Sequence, residues 1–388
     1  MGIVKPRYKV IVPKAEGNFE IQWDNCFNEL SDTLQNPEYK PFRICVFMHT
    51  IDESDYNCKS DLIRNSICSL VNGSLLPVSI IPQSPEEPYE VAIELGMASE
   101  KEGLVQYYSV DGINYCTITS DKLLECWVVG AMMNGKYGGK YESADGSFQK
   151  LKLVLDSLEL NFDTIVRQWN YVGEILDLSS ANGLRMQNYQ IFNEVRNSYY
   201  SQYRNCSNFP AATGIGINST HVGIDCYAIG NQSNIQIIPV SNPNQEDSYQ
   251  YGQDVLVGDA IAHKQPPQFE RAILLKSGAS SKLIISGTAA IIGQKTIGIG
   301  DVVQQTKTTI DNIETLVSRT NLMNHCSNPA EYPDKYSYLR VYVKYRSDIK
   351  TVKRICTENY GDVPMTFVQA DICRDNLLVE IEAKKMNV

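Results

Sequence analysis

The chain has 388 residues, of which 43% are apolar and 21% charged, an ordinary globular composition that allows two or three structural units. Its formal net charge of -10, without a dense run of Lys and Arg, argues against nucleic acid as a partner. No stretch has the roughly 20 consecutive apolar residues of a membrane span, and the N-terminus lacks the apolar core of a signal peptide. We therefore expect a cytoplasmic protein that binds neither nucleic acid nor a membrane.

The residues that usually hold metals and cofactors are sparse. The chain has only four histidines, no two of them spaced for one helix face, and its eleven cysteines form no C-x-x-C motif. No G-x-G-x-x-G motif indicates a dinucleotide site. We expect no metal site, no cofactor and mostly buried thiols.

An internal repeat organises the sequence. Three segments each show a strand, a helix, a strand that follows a proline, and a closing strand with an apolar-acid-apolar pattern. The opening strands lie at 42–49, 164–171 and 338–345, the helices around 65–71, 189–204 and 350–358, the proline-led strands at 77–81, 210–216 and 364–368, and the closing strands at 91–95, 221–226 and 377–383. Paired strands and a further helix, at 148–160 or 301–317, precede the second and third segments.

Each unit therefore reads β-β-α-β-α-β-β, and we predict an α+β fold of three fused units with sheets inside and helices outside. The predicted units span residues 1–98, 99–241 and 269–388. Residues 242–268 are polar and rich in turn formers, which predicts a long connecting loop with a functional role. Because one chain supplies all three units, we expect a monomer.

Two sets of motifs resemble known families. Residues 285–290, 300–313 and 378–383 resemble the signature of the YjgF/RidA family, whose members are trimers of such a unit with ligand sites between subunits. Over about the last 220 residues the resemblance narrows to the chorismatases. The motifs that carry it are Arg167-Gln-Trp-Asn-Tyr, Tyr189-Gln-Ile-Phe-Asn-Glu-Val-Arg196, Pro210-Ala-Ala-Thr-Gly-Ile-Gly, Phe269-Glu-Arg-Ala and Ala370-Asp-Ile-Cys-Arg-Asp-Asn-Leu-Leu-Val-Glu380.

This resemblance implies hydrolysis of the enol ether of chorismate, or of a related enolpyruvyl or aromatic acid, with release of pyruvate. Glu380 matches the family's acid, which must stay protonated to deliver a proton to the methylene carbon. Glu382 lies on the same strand face, and its counterparts in the other units are Glu94 and Asp225, whereas Glu380 aligns with Ala92 and Gly223. We therefore predict that Glu380 is catalytic and that Glu382 supports it.

The other predicted site residues would bind a substrate that carries carboxylates, for which arginine is the best partner. They are Arg167, Tyr189, Arg196, Thr213, Gly214, Arg271, Ser286, Gly287 and Cys373. Together with Glu380 they place the site in the seam between the second and third units. Whether the product is a dihydrodiol or 3-hydroxybenzoate stays open, since the two routes differ by subtle packing.

Two alternatives remain. The sequence departs from the chorismatase pattern at residues 254–266, where an acidic and apolar loop replaces a basic one, and this favours a non-catalytic protein that binds an aromatic or keto acid. The other alternative is the enamine and imine deaminase activity of the YjgF/RidA family. That activity uses an arginine two residues after the proline of the proline-led strand, and the corresponding residues here are Ser79, Ala212 and Thr366.

Overall fold

The computed structural model describes residues 3–70, 72–120, 123–133, 139–181, 183–231, 235–259, 263–278, 280–326 and 332–387. In these residues the chain forms three large mixed sheets and two short hairpins. Each large sheet carries helices on one side. None of the described helices is long and apolar enough to cross a membrane.

The first unit contains a four-stranded sheet and two helices. In chain order its elements are β1 (Arg7–Ile11), α1 (Phe19–Leu34), β2 (Tyr39–Met48), α2 (Glu53–Cys68), β3 (Val78–Ile81) and β4 (Val91–Ser99). The strand order is β1-β4-β2-β3, with β2 and β3 parallel. Both helices begin at a side-chain cap, Asn18 for α1 and Asp52 for α2, because these short polar side chains accept a backbone N–H of the first turn.

The second unit contains a six-stranded sheet. Its elements are β5 (Leu104–Val110), β6 (Ile113–Ser120), β7 (Leu123–Met133), α3 (Lys140–Ser157), β8 (Ile165–Gly173), β9 (Leu178–Ala181), β10 (Leu184–Gln187), α4 (Asn188–Tyr203), β11 (Ala211–Ile217) and β12 (Val222–Gly230). The strand order is β11-β8-β12-β7-β6-β5, and β9 pairs with β10 as a separate hairpin. Helix α3 begins eight residues before the predicted start at 148.

The third unit repeats this six-stranded sheet. Its elements are β13 (Gln236–Val240), β14 (Ala272–Ser277), β15 (Ser280–Ala289), β16 (Ile291–Ile292), β17 (Lys295–Thr296), α5 (Val302–Val317), α6 (Arg319–His325), β18 (Lys335–Val343), α7 (Ile349–Tyr360), β19 (Met365–Gln369) and β20 (Val379–Met386). The order is β13-β14-β15-β20-β18-β19. Helix α5 begins after Asp301, whose carboxylate accepts the N–H of Gln304 at 2.9 Å, as the sequence predicts.

The three sheets share one topology, which confirms the predicted α+β fold of three fused units. The strands β1-β4-β2-β3 of the first sheet correspond to β7-β12-β8-β11 and to β15-β20-β18-β19. One apolar cluster joins the inner faces of all three sheets, and Phe47, Tyr171 and Tyr342 are members from equivalent strand positions. Three further clusters each pack one sheet against its own helices, so the sheets are inside and the helices outside.

Cross-strand register defines which residues of the three units are equivalent. Glu94, Asp225 and Glu382 each lie opposite the same position of the central strand, in agreement with the alignment made from the sequence. In the parallel pairs that position lies beside Ser79, Thr213 and Thr366. In the second unit the equivalent residue is therefore Thr213 and not Ala212, because β11 is shifted by one residue relative to its proline.

The unit boundaries stay a proposal, with one change. Strand β13 pairs with β14 along its whole length, although its residues precede the predicted boundary at 241. We therefore place the start of the third unit before Gln236. The connection between β13 and β14 then contains the predicted loop 242–268, in which residues 260–262 lie outside the described part of the chain.

Candidate active site

A cavity of about 60 Å³ lies in the seam between the second and third units. The second unit contributes α4 and β11, and the third contributes β15, β20 and the loop that precedes β20. The connection between β13 and β14 forms the remaining wall. Most of that wall is apolar, through Val255, Leu256, Val257, Pro267 and Phe269. This is the seam in which the sequence predicts the site.

Glu380 on β20 lines this cavity and is 5% exposed. Its carboxylate lies directly over Gly287, where an added Cβ would be only 1.9 Å from Oε1. Among the described residues it has no hydrogen-bond or ion-pair partner. Burial, and next the negative charge of Glu382, raise the pKa of Glu380 to about 8, against the opposing effect of Arg167 and Arg271. The Glu380 carboxyl is therefore predominantly neutral at pH 7.

Glu382 lies two residues further along β20 but does not line the cavity. Its carboxylate accepts hydrogen bonds of 2.7 Å from Arg167 Nη2, Trp169 Nε1 and Thr213 Oγ1. Burial acts to raise the pKa of Glu382, but the charges of Arg167 and Arg340 and these hydrogen bonds outweigh it and lower the pKa to about 2. Glu382 is a buried anion that keeps negative charge beside Glu380.

Two guanidinium groups reach the cavity wall, those of Arg271 and Arg374. Arg271 is 3% exposed, and its Nη2 donates to Tyr251 Oη at 2.8 Å and to the Glu246 carbonyl. Its buried Nε–H has no partner among the described residues. Arg374 Nη1 donates to the Gln294 carbonyl at 2.6 Å. The cavity therefore combines one neutral carboxyl group with two cationic groups.

Arg167 and Arg196, which the sequence also predicts as site residues, lie behind the cavity wall. Arg167 Nη2 donates hydrogen bonds to Glu382 Oε2 at 2.7 Å and to Thr213 Oγ1 at 2.5 Å. Arg196 on α4 donates to Asn193 Oδ1 at 2.7 Å, and Asn193 itself lines the cavity. Both arginines are 1% exposed. Among the described residues, the arginines that line the cavity are Arg271 and Arg374.

Thr213 and Ser286 join the two units beneath the site. Thr213 Oγ1 accepts the Gly287 N–H at 3.1 Å while it donates to Glu382. Ser286 Oγ accepts the Ala212 N–H at 2.9 Å and donates to the Glu270 carbonyl at 2.5 Å. Neither residue lines the cavity. Their hydroxyl groups hold β11 against β15 and so fix the width of the seam.

Tyr189, Gly214 and Cys373 do line the cavity. The Tyr189 ring packs on Gly214, where an added Cβ would be 2.6 Å from Cε2, so β11 needs a residue without a side chain here. Burial, and then the charge of Glu380, raise the pKa of the Cys373 thiol to about 12. Cys373 therefore presents a neutral thiol and not a nucleophilic thiolate.

Several lining residues were not predicted from the sequence. They are Gln187, Gln190, Asn193, Tyr251, Val255, Leu256, Val257, Pro267, Phe269, Ala289, Ile291, Arg374 and Leu377. A signal existed for Arg374, which follows Cys373 within the motif that carries the family resemblance. A weaker signal existed for Tyr251 and Val255–Val257, which belong to the long connection. Gln190 and Asn193 lie within the Tyr189–Arg196 motif that also carries the resemblance, but only the packing of α4 against the seam shows that they line the cavity.

The sequence predicts no metal site, and a metal site would need several side chains that converge on one ion. Among the described residues, no group of three or more His, Cys, Asp and Glu side chains is placed to hold a metal ion. In the cavity the polar groups are one neutral carboxyl, two guanidinium groups, amides, two phenols and a thiol. These groups suit an organic anion better than a cation.

Three comparisons with known proteins bear on this geometry. A family model described as "Chorismatase FkbO/Hyg5-like, N-terminal" matches residues 100–229. A chorismatase from Streptomyces rapamycinicus is 32% identical over 250 residues, which cover 63% of this chain and 70% of that protein. A 3-hydroxybenzoate synthase from Streptomyces hygroscopicus is 32% identical over 234 residues, which cover 59% of this chain and 65% of that protein.

A crystal structure of a chorismatase covers 99% of this chain and 99% of its own length, with a TM-score of 0.70 and 22% sequence identity. At that identity the likeness shows the shared fold. The sequence relationship to the chorismatase from Streptomyces rapamycinicus shows the family. This chain therefore belongs to the chorismatase family of enzymes.

Proposed function

We propose that this protein hydrolyses the enol ether of chorismate, or of a closely related enolpyruvyl acid, and releases pyruvate. One observation carries the proposal. Glu380 lines a cavity as a buried carboxyl with a pKa near 8, and two arginines share that cavity. A protonated acid beside cationic groups is what the protonation of an anionic vinyl ether requires.

In the proposed reaction Glu380 donates its proton to the methylene carbon of the enolpyruvyl group. The resulting oxocarbenium ion is attacked by water, and the hemiketal collapses to pyruvate and the ring alcohol. The negative charge of Glu382 contributes in two ways. It helps to keep Glu380 protonated before the reaction, and it stabilises positive charge that develops nearby.

Arg271 and Arg374 are proposed to hold the substrate carboxylates. The unpaired Nε–H of Arg271 offers a donor in addition to those used by Tyr251 and Glu246. Arg374 is half-buried and makes one hydrogen bond to a described residue, so its remaining N–H groups can serve a ligand. For Arg167 and Arg196 we propose a positioning role, through Glu382 and Asn193 respectively.

The name of one relative suggests a second candidate product. One relative is named 3-hydroxybenzoate synthase, and conversion of chorismate to 3-hydroxybenzoate also releases pyruvate but consumes no water overall. Hydrolysis instead yields a dihydrodiol and consumes one water molecule. Separation of the ring products by liquid chromatography distinguishes the two routes in a single incubation.

The two alternatives differ in their support. The connection between β13 and β14 contributes an apolar wall at Val255–Val257, and this is the observation that favours a protein that only binds an aromatic acid. Deaminase chemistry lacks support, because the residues equivalent to the YjgF/RidA arginine are Ser79, Thr213 and Thr366. Two of these hydroxyl groups donate hydrogen bonds to buried carboxylates. Ser79 donates to Asp225 and Thr213 donates to Glu382.

The test is incubation with chorismate and a coupled assay for pyruvate. The wild-type protein should release pyruvate, and Glu380→Gln should lower kcat at least a hundredfold, since general acid catalysis contributes about 10²–10⁴-fold. The matched control is Glu142→Gln, an exposed carboxylate on α3 that should leave kcat unchanged. Turnover unaffected by Glu380→Gln removes this residue from the role. No turnover, with saturable binding of an aromatic acid, establishes the binding protein instead.

A further inference from the structure

One tyrosine, Tyr251, contacts both arginines that line the candidate active site. It belongs to the connection between β13 and β14, and it lines the cavity together with Arg271 and Arg374. Its Oη accepts a hydrogen bond of 2.8 Å from Arg271 Nη2, and its ring centroid lies 5.2 Å from the guanidinium carbon of Arg374. A guanidinium group within about 6 Å of an aromatic face is attracted to it. A single side chain therefore links the two cations.

The two guanidinium groups lack an acidic partner. Neither Arg271 nor Arg374 forms an ion pair with a residue in the described ranges. Three other buried arginines each pair with a carboxylate of a neighbouring unit, Arg43 with Asp225, Arg167 with Glu382, and Arg340 with Glu94. Because a buried charge is costly unless it is paired, a ligand with one carboxylate for each arginine would supply the missing partners.

The connection between β13 and β14 fixes the orientation of Arg271. Besides its bond to Tyr251, Arg271 Nη2 donates to the carbonyl of Glu246, and the guanidinium carbon lies 5.3 Å from the ring centroid of Phe269. Glu246, Tyr251 and Phe269 all belong to this connection. Their contacts restrict a side chain that otherwise carries about 2 kcal/mol of rotamer entropy.

Gln294 joins the segment of Tyr251 to Arg374. It lies in the turn between β16 and β17, and its backbone carbonyl accepts a hydrogen bond from Arg374 Nη1 at 2.6 Å. Its side-chain Oε1 accepts the N–H of Gly252, the neighbour of Tyr251, at 3.0 Å. Gln294 does not line the cavity. It therefore holds Tyr251 and Arg374 in one arrangement from outside the binding site.

We propose that Tyr251 is a positioning residue that sets the spacing of Arg271 and Arg374, so that the site selects a substrate with two carboxylates over a substrate with one. The inference rests on the proposed function, since it concerns the substrate of the same cavity. The two guanidinium groups repel each other, and their contacts with Tyr251 offset this repulsion. A dianion meets both arginines at once, whereas a monoanion leaves one cation without an anion.

The experiment is isothermal titration calorimetry of chorismate, and separately of benzoate, into Glu380→Gln protein, in which turnover is suppressed. Addition of Tyr251→Leu should raise the Kd of chorismate at least about tenfold and that of benzoate less than about threefold. Tyr251→Phe keeps the ring but loses the hydroxyl contact with Arg271, so it should give a smaller increase. The control is Tyr108→Leu, which removes a partly exposed ring on β5 and should leave both Kd values unchanged.

Two further measurements separate positioning from a general loss of structure. Gln294→Met removes the acceptor of the Gly252 N–H but keeps the backbone carbonyl that Arg374 uses, and it should also raise the Kd of chorismate. Among the described residues Tyr251 makes no hydrogen bond to Glu380. Tyr251→Leu alone should therefore lower kcat/KM for pyruvate release mainly through a higher KM.

Three results would overturn the inference. The first is a Kd of chorismate that Tyr251→Leu leaves unchanged in protein with the circular dichroism of the wild type. The second is equal weakening of chorismate and benzoate, which would indicate general damage to the cavity. The third is the absence of chorismate binding by the Glu380→Gln protein. Failure of the proposed function is distinct, because the wild-type chain would then release no pyruvate while chorismate binding still depends on Tyr251.

Discussion

Glu380 and Glu382 lie two residues apart on one strand, yet their protonation states at pH 7 are opposite. The difference comes from their partners. Two arginines, an indole N–H and two hydroxyl groups surround the Glu382 carboxylate, whereas no described residue donates to Glu380. The anion at Glu382 in turn raises the pKa of Glu380. A pair of carboxyl groups in contrasting environments is a recurrent way to obtain a neutral acid near pH 7.

The first prediction at this scale concerns the pH dependence of activity. Glu380 must be protonated to act, and its pKa is about 8. The value of kcat/KM for pyruvate release should therefore be nearly constant below pH 7 and should fall about tenfold per pH unit well above pH 8. The measurement is the initial rate at low chorismate concentration across pH 5–10. A rate that declines from pH 5 upwards would show that the acid has an ordinary pKa.

The second prediction concerns stability. Folding raises the pKa of Glu380 from its ordinary 4.5 to about 8, so the unfolded chain releases this proton at lower pH than the folded chain does. The destabilising effect is absent below about pH 4.5 and grows to its full size above pH 8. Glu380→Gln should therefore raise the free energy of unfolding by on the order of 4 kcal/mol at pH 8, and by little at pH 4.5.

Urea unfolding followed by tryptophan fluorescence at both pH values measures this difference. The wild-type chain is the reference at each pH. An equal effect of Glu380→Gln at pH 4.5 and pH 8 would contradict the titration argument and indicate a packing effect instead.

At the scale of elements, β11 shows how closely two units approach at the site. The strand carries Gly214 under the ring of Tyr189 from α4, and Thr213 faces the third unit. Successive positions of a strand face opposite sides. Position 214 therefore faces the cavity, while Thr213 contacts the buried ion pair. A small change on β11 therefore reaches the cavity through Tyr189.

Gly214→Ala tests this arrangement. The added Cβ would lie 2.6 Å from Tyr189 Cε2, so the ring must move into the cavity. We expect kcat/KM for pyruvate release to fall about tenfold or more, because misplacement by about 1 Å can cost a hundredfold. The control is the double variant Gly214→Ala/Tyr189→Leu, in which the clash is relieved. Additive effects of Gly214→Ala and Tyr189→Leu on kcat/KM would contradict direct contact between these two residues.

The connection between β13 and β14 closes one side of the cavity. With this wall in place the cavity holds about 60 Å³, below the roughly 300–1,000 Å³ usual for ligand sites. The wall is attached to the second unit by backbone hydrogen bonds, from Gln187 N to Val257 O at 3.3 Å and from Asp259 N to Arg185 O at 2.9 Å. Residues 255–257 therefore help to limit the volume of the cavity.

At the scale of the whole molecule, buried charges connect the three units. Asp225 of the second unit pairs with Arg43 of the first at 3.0 Å, and Glu382 of the third pairs with Arg167 of the second. Glu94 of the first unit closes the ring through Arg340 of the third. Loss of one partner from such a pair typically costs about 3–5 kcal/mol, because the other charge stays buried. Each unit therefore depends on its two neighbours.

The corresponding prediction is that the protein is a monomer. All three seams are closed by segments of one chain, so no second copy is needed to complete a unit interface. Sedimentation equilibrium should give a mass of 43.6 kDa, independent of concentration. A mass two or three times larger at micromolar concentrations would contradict the prediction.

Much of this architecture could be predicted from the sequence because the repeat is regular. The alternation in Tyr338–Tyr345 indicates a strand, and Asp301 marks the start of a helix, since these features depend on neighbouring residues. The bounds of α2 and α3 were harder, because Glu53–Asn65 and Lys140–Ser147 are polar and have weak apolar periodicity. Strand β13 was also missed. Its partner β14 lies more than 30 residues further along the chain, so no local pattern indicates the pairing.

By itself, the sequence determined the three-unit fold, the family resemblance and Glu380 as the candidate acid, because these rest on local patterns and short motifs. Only the tertiary structure decided which arginines face the cavity. Arg167 and Arg271 both lie in motifs that carry the family resemblance. Arg167 is paired with Glu382, however, whereas Arg271 reaches the cavity wall. The raised pKa of Glu380 is likewise a tertiary property, because it depends on burial and on a neighbouring charge held by residues of another unit.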